Sequence, residues 1–147
     1  MEQRSTYDYL IAHGVKPSVQ RMAVMDYLRQ HPTHPTADRI YADLLSAMPT
    51  LSKTTVYNTL RVLVESGAVG MLTIDEKNAC FDAETSPHAH FLCTTCGCVH
   101  DLPLCVGGWS GVCHLPDGFS PKNFHLYVRG LCPQCQGQAG TKAEKAV

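Results

Sequence analysis

The sequence predicts an α+β chain made of a helical domain followed by a small domain richer in strands. Through about residue 67, apolar residues recur at helical spacing, and short alternating segments follow. After Asp82 the composition shifts towards cysteine, histidine, glycine and proline. We therefore expect one domain at residues 1–82, a second at 83–136, and a disordered tail at 137–147.

The first domain is predicted to contain four helices and a β-hairpin. The helix start and stop signals are Gly14, Ser18, Thr36, Pro49, Ser52 and Gly67. In the fourth helix, Val56, Leu60, Leu63 and Val64 form the face expected to be buried. The segments "AVGMLTI" and "NACFD" then alternate like strands around the turn "DEKN".

Helices followed by a hairpin indicate a winged helix-turn-helix, whose last helix would enter a DNA major groove. The polar face of that helix predicts the DNA contacts. Tyr57, Asn58 and Arg61 would read or position the DNA, while Lys53 and Thr54 would bind phosphates. A small helical bundle with an ordinary polar face explains this pattern equally well.

The overall composition restricts the class of protein without identifying it. The chain has 147 residues and a net charge of −1, so any DNA-binding face must be local. No membrane span or secretory signal is recognisable, which predicts a cytoplasmic protein without a membrane partner. In a reducing compartment, eight cysteines are more typical of metal binding than of disulfides.

Two Cys-x-x-Cys motifs predict a structural zinc site. Cys93 and Cys96 would join Cys132 and Cys135 around a tetrahedral Zn(II) ion. A redox-active dithiol is the competing interpretation. The other thiols, Cys80, Cys98, Cys105 and Cys113, are not assigned; Cys80 and Cys105 fit buried or incidental thiols, whereas Cys98, Cys113 and His114 are possible extra ligands.

A second metal site is predicted around His88 and His90. In a strand these two side chains share one face, while Cys93 points to the other, so the histidines and the thiols would form separate sites. Asp82 and Asp101 are nearby oxygen ligands. Imidazole and carboxylate ligands suit Fe(II) or Mn(II) better than thiolates do.

The order of motifs resembles the ferric uptake regulator family of bacterial metal-dependent repressors. The resemblance spans Gly14 to Cys135 and includes "QR", "HPTADRIY", "TVYNTLRVLVESG", "FD", "HAHFLCTTCG" and "GLCPQC". It implies a winged-helix DNA-binding domain, a hinge near residues 82–84 and a C-terminal α/β dimerisation domain. A homodimer of this kind would bind double-stranded DNA at an inverted-repeat operator.

The same resemblance assigns the metal ligands. Structural zinc maps onto Cys93, Cys96, Cys132 and Cys135. The regulatory metal maps onto His34, Asp82, His88, His90 and Asp101. An ion bound by all five ligands would join the DNA-binding domain to the dimer domain and favour the conformer that binds DNA.

Within the family, Asn58, Asp82 and Asp101 are similar to residues of the peroxide-sensing branch, PerR. That similarity implies that bound Fe(II) reacts with peroxide and oxidises His34 or His88, so that repression is lost. With Mn(II), repression without a strong peroxide response is expected. Oxidation of this kind modifies the protein itself, so we do not expect an enzyme.

Two departures from the family and three alternatives stay open. Gly108 and Phe124 stand where many relatives have ligands of an additional metal site, so we expect that site to be absent or altered, although His125 is adjacent. Residues 104–120 are rich in glycine where the family has a helix. The alternatives are an iron- or zinc-responsive repressor, a thiol-disulfide oxidoreductase, and a zinc-stabilised adaptor without a DNA role.

Overall fold

The computed structural model describes residues 3–105 and 107–139. Its contacts divide the chain into two units, one ending at Thr85 and the other beginning at Ser86. The sequence placed this division three residues earlier, after Asp82. None of the helices in the described ranges has the length and apolar character needed to cross a membrane.

The first unit contains four helices and a two-stranded antiparallel sheet. Its elements are α1 Thr6–Ala12, α2 Val19–Gln30, α3 Ala37–Leu44, α4 Lys53–Glu65, β1 Gly70–Leu72 and β2 Cys80–Asp82. Each helix begins after a hydroxyl side chain that accepts a hydrogen bond from the backbone N–H three residues later. These N-caps are Ser5, Ser18, Thr36 and Ser52, and the last three are the predicted start signals.

The core of this unit lies between the helices. Leu10, Val24, Met25, Ile40 and Leu63 are among its most buried side chains. α4 buries Val56, Thr59, Leu60 and Leu63. Val64, predicted to be buried with them, is only half-buried, although it packs against the same core. Gly67 adopts a φ of 79° just after α4, a left-handed conformation that glycine takes without steric cost.

The β-hairpin is tied to the start of α3. Thr36 forms an isolated antiparallel bridge with Cys80, and the Phe81 N–H donates to the Pro35 carbonyl at 3.0 Å. This pairing aligns the segment before α3 with β2. As a result, His34 lies beside Asp82 at the end of that strand.

The second unit is a three-stranded sheet followed by a short helix. Its strands are β3 Ala89–Cys93, β4 Val99–Leu102 and β5 Tyr127–Gly130, in the order β4-β3-β5, and the helix is α5 Pro133–Ala139. β3 pairs with β4 in antiparallel fashion and with β5 in parallel fashion. The segment "HFLCTTCGCVHDL" therefore contains two strands and the turn between them.

Two further segments bear on the predictions. Within residues 104–120, helical structure among the described residues is limited to one 3-10 turn, Gly108–Gly111. The tail predicted to be disordered begins at residue 137, but residues 137–139 belong to α5. Pro133 occupies the first position of this helix, for which the fixed φ of proline is well suited. Residues 140–147 lie outside the described part of the chain.

Candidate metal centres and nucleic-acid interface

Four cysteine side chains of the second unit converge at one end of its sheet. Cys93 ends β3, Cys96 lies in the turn that follows, Cys132 comes after β5, and Cys135 is in the first turn of α5. Their sulfur atoms all lie within 4.8 Å of one another. The structure thus brings together all four predicted zinc ligands.

The spacing of the sulfurs fits a tetrahedral metal ion. The Sγ atoms of Cys96 and Cys132 are 3.9 Å apart. Four thiolates at the usual Zn–S bond length of about 2.3 Å would lie about 3.8 Å from one another. A disulfide would instead require about 2.05 Å, and all eight cysteines are free thiols. The geometry favours a metal over a redox-active dithiol.

The local backbone prepares one of these sulfurs as a thiolate. Backbone N–H groups of Cys96 and then Cys132 lower the pKa of Cys93 to about 5, and the Cys132 N–H donates to the Cys93 sulfur at 3.4 Å. By contrast, the hydrogen bond with Cys132, the burial and the other neighbouring thiols raise the pKa of Cys135 to about 12. Zinc binding would therefore have to displace a proton from Cys135.

A second group of ligands lies on the β3–β4 pair. His90 and Asp101 are direct partners across the two strands, so their side chains share one face of the sheet. The Asp101 Oδ1 atom is 3.3 Å from His90 Nε2 and 3.2 Å from His88 Nε2. The two imidazole rings are 4.4 Å apart. His88 precedes β3, yet it lies with His90 as predicted.

The hydrogen bonding of the His88 ring bears on which charges this group can hold. Its Nδ1 atom lies 2.7 Å from the Ser86 carbonyl, which can only accept a hydrogen bond, so Nδ1 carries the proton. In a neutral imidazole, Nε2 then has a lone pair, and it faces the Asp101 carboxylate. Two acceptors at that distance need a positive charge between or beside them, from a metal ion or an added proton.

The first unit holds the other two predicted regulatory ligands. His34 Nε2 is 3.4 Å from Asp82 Oδ2, and both side chains are buried. His34 has a φ of 55°, the only positive φ among the described non-glycine residues. Such a conformation is uncommon and tends to occur where function demands it. The bridge between Thr36 and Cys80 is what sets this pair side by side.

The predicted DNA-contacting residues form the exposed face of α4. The side chains of Lys53, Thr54, Tyr57, Asn58 and Arg61 are all exposed. Two of them are tied to α3, because the Tyr57 hydroxyl donates to Asp38 at 3.1 Å and Lys53 Nζ lies 3.7 Å from the same oxygen. The hydrogen bond to Asp38 raises the pKa of Tyr57.

Several side chains were assigned no function from the sequence or were left open. Asp38 looked like an ordinary acidic residue in the first turn of a helix, and no local signal linked it to Tyr57. Cys80 is buried, whereas Cys98, Cys105 and Cys113 are exposed. Phe124 stacks on Trp109 with ring centroids 5.2 Å apart, and His125 Nδ1 lies 3.2 Å from the Tyr127 hydroxyl.

Comparison with known proteins identifies the family. The profile of the ferric uptake regulator family matches residues 12–126. The chain is 37% identical over 137 residues to the peroxide operon regulator of Bacillus subtilis (strain 168), covering 91% of this chain and 93% of that protein.

Two solved structures support the predicted fold class. PerR from Streptococcus pyogenes, described in terms of peroxide sensing and gene regulation, matches with a TM-score of 0.50 and 29% identity, covering 92% of this chain and 98% of that one. The ferric uptake regulator from Pseudomonas aeruginosa with manganese matches with a TM-score of 0.68 and 20% identity, covering 88% and 99%.

At 20% identity, the match to the Pseudomonas aeruginosa protein concerns the fold alone. The two structures together confirm the predicted fold class, an N-terminal winged-helix domain followed by a C-terminal domain of the dimerisation type. The family profile, the fold and the cluster of four cysteines all agree with the family predicted from the sequence. The family match over most of the chain shows that this protein belongs to the ferric uptake regulator family of metal-responsive transcriptional regulators, and not to a class of enzymes.

Proposed function

We propose that this chain is a cytoplasmic, homodimeric repressor that binds an inverted-repeat operator in double-stranded DNA and releases it when peroxide oxidises a metal-ligand histidine. The observation that carries the proposal is the convergence of two imidazoles on one carboxylate, with Asp101 Oδ1 lying 3.2 Å from His88 Nε2 and 3.3 Å from His90 Nε2. Imidazoles and a carboxylate on one face of a sheet form a ligand set that suits a divalent cation such as Fe(II) or Mn(II). The similarity to the Bacillus subtilis peroxide operon regulator supports the peroxide response.

Two metals with different chemistry would serve the two groups of ligands. Cys93, Cys96, Cys132 and Cys135 would hold Zn(II), which has no redox chemistry of its own and would stabilise the second unit. His34, Asp82, His88, His90 and Asp101 would hold Fe(II) or Mn(II), because harder nitrogen and oxygen ligands suit these ions. Zinc would thus be structural, and the second metal would be regulatory.

The regulatory ligands belong to both units of the chain. His34 and Asp82 come from the first unit, and His88, His90 and Asp101 come from the second. An ion bound by all five would restrain the two units relative to each other. If that restrained conformer binds DNA better than the free one, metal binding raises DNA affinity by the same coupling free energy.

Peroxide would break this coupling by changing a ligand. Fe(II), when bound, would supply the electrons that cleave the O–O bond, which Mn(II) does poorly. Overall, a C–H bond of the His34 or His88 ring is replaced by a bond to oxygen, and the second peroxide oxygen leaves as water. An oxidised ring coordinates metal weakly, so the DNA-binding conformer loses its stabilisation.

Peptide mass spectrometry combined with DNA binding tests the proposal. The Fe(II)-loaded protein is treated with peroxide, and its affinity for an operator selected from random duplexes is measured before and after. We expect the mass of one oxygen atom on the His34 or His88 peptide together with loss of DNA binding. The Mn(II)-loaded protein, treated identically, should show no change in peptide mass and should remain bound to the operator.

Failure of this experiment would point to a related repressor. If the Fe(II) form keeps its operator after peroxide, peroxide sensing is excluded. A series of apo, Fe(II), Mn(II) and Zn(II) forms would then show whether iron or zinc controls DNA binding. One tightly held zinc per chain after mild chelation would separately exclude the thiol-disulfide oxidoreductase.

A further inference from the structure

A polar cleft lies between the start of α2 and the exposed side of α4, with a volume of about 360 Å³. We call it the α2–α4 cleft. Ser18, Gln20 and Arg21 line it from α2, and α4 contributes a stripe that includes Thr55, Asn58 and Thr59, together with Arg61. The cleft carries two guanidinium groups and no carboxylate, so it suits an anion.

Thr59 adds a hydroxyl group to the wall of this cleft. The residue is only 5% exposed, and it lines the cleft. Its hydroxyl makes no side-chain hydrogen bond to any part of the chain that the structure describes. A hydroxyl on the wall of a polar cleft can donate a hydrogen bond to a ligand that accepts one, such as a phosphate oxygen.

The two arginines are suited to such a ligand. Arg21 is half-buried, and one of its five N–H donors is used on the Lys16 carbonyl at 2.9 Å. That bond holds the side chain while leaving further donors for a ligand. Arg61 is exposed on α4 and makes no side-chain hydrogen bond within the described ranges. Planar guanidinium groups bind phosphate oxygens well, often through two parallel hydrogen bonds.

We propose that the α2–α4 cleft binds a phosphate of the DNA backbone, with Arg21 and Thr59 as contact residues in addition to those on the outer face of α4. The inference rests on the proposed DNA-binding function and adds contacts to the phosphate backbone of the DNA. Asn58 and Arg61 belong both to the cleft and to the predicted DNA-contacting face, so a duplex on that face would bring a phosphate to the cleft.

Salt dependence of DNA binding tests the proposal on the full-length, Mn(II)-loaded protein. Each lysine or arginine that neutralises a phosphate releases counterions, so its loss lowers the slope of log affinity against log salt by about one per contact. Arg21→Gln should lower the slope by that amount and weaken binding roughly tenfold. The loss should be equal for the selected operator and for a mixed-sequence duplex, because phosphate contacts carry no sequence information.

Three further variants make the result specific. Arg21→Lys should keep the salt slope because it retains the charge. Thr59→Val should weaken both duplexes by a few-fold with the slope unchanged, because it removes one neutral hydrogen bond. Lys122→Gln removes an exposed charge from the second unit and should leave both affinity and slope unchanged.

The proposal is overturned if Arg21→Gln keeps the wild-type slope, or if Lys122→Gln lowers it as much. It is also overturned if inorganic phosphate binds the wild-type protein, Arg21→Gln loses that binding, and phosphate at matched ionic strength does not compete with DNA, because the cleft would then serve a small anion and not the duplex. Should Arg21→Gln fail to fold by circular dichroism, unchanged binding by Thr59→Val rejects the cleft. If the wild-type protein binds no duplex, the proposed function itself fails.

Discussion

The Tyr57 hydroxyl on α4 donates a hydrogen bond of 3.1 Å to the Asp38 carboxylate on α3. Lys53 Nζ lies 3.7 Å from the same oxygen. Two of the five predicted DNA-contacting side chains are therefore held by a carboxylate of their own unit. A DNA phosphate offers the same kind of acceptor, so DNA would have to take the place of Asp38 at these donors.

We predict that Asp38→Asn strengthens DNA binding. The substitution removes a negative charge beside the predicted DNA-contacting face, and with it the carboxylate that lies 3.7 Å from Lys53 Nζ. Affinity for operator and mixed-sequence duplexes should rise by roughly three- to tenfold at low salt, with a smaller gain at high salt because ions screen the effect. Fluorescence anisotropy over a salt series measures this change.

Asp117→Asn, which removes an exposed charge from the second unit, is the matched control and should change affinity little. The pKa of Tyr57, followed by NMR of labelled tyrosine, should fall in Asp38→Asn because the hydrogen bond that raises it is weakened. Equal or weaker DNA binding by Asp38→Asn would contradict the competition between Asp38 and phosphate.

Ionisation of the Tyr9 hydroxyl should lower the free energy of unfolding at alkaline pH. Its hydroxyl donates to the Ala68 carbonyl at 2.7 Å, and burial raises its pKa. Tyr9→Phe should therefore lower the free energy of unfolding by about 1 kcal/mol at neutral pH. A raised phenol pKa gives stability that is complete below about pH 10 and is lost as pH rises through the higher folded-state pKa.

The difference between Tyr9→Phe and wild type should consequently shrink above pH 10, as measured by denaturant unfolding across pH. Tyr7→Phe is the control, because that residue is 52% exposed and makes no side-chain hydrogen bond among the described residues. A difference that stays constant through pH 11 would show that ionisation of Tyr9 does not affect folding.

The cysteine cluster predicts zinc-dependent folding of the second unit. Cys132→Ser removes a buried ligand, so the protein should lose its zinc, and amide exchange in β3 and β5 should rise by several orders of magnitude. Cys113→Ser, an exposed thiol outside the cluster, should keep about one zinc per chain. Full zinc content in Cys132→Ser would refute the assignment.

The pairing of His90 with Asp101 predicts a carboxylate ligand on β4. Asp101→Ala should weaken Mn(II) binding by about 10- to 100-fold, measured by calorimetry. His100→Ala is a close control, because His100 neighbours Asp101 on the same strand and points to the opposite face. If both variants bind Mn(II) like the wild type, Asp101 is not a ligand.

His34 should be replaceable without loss of the fold. Asparagine tolerates the positive φ of 55° found at this position, so His34→Asn should change the free energy of unfolding by no more than about 1 kcal/mol. It lacks the imidazole, however, so Mn(II) should no longer raise DNA affinity. Retention of metal-dependent DNA binding, with normal stability, would remove His34 from the regulatory site.

Features decided by neighbours along the chain were predictable from the sequence alone. Ser18, Thr36 and Ser52 cap helices because a hydroxyl needs only the backbone three residues ahead. The two Cys-x-x-Cys motifs and the spacing of His88 and His90 predicted separate thiol and imidazole groups for the same reason. Local geometry also explains why Pro133 starts a helix. The sequence prediction did not use this signal and placed the start of the tail at residue 137.

Contacts between distant segments were decided only by the tertiary structure. The bridge of Thr36 to Cys80 sets His34 beside Asp82, the hydrogen bond from Tyr57 to Asp38 joins the predicted DNA-contacting face to α3, and Arg21 meets α4 in a cleft. Each contact depends on how whole helices and strands pack. Periodicity and spacing describe which face of one element is apolar, but they do not specify which residue of another element it meets.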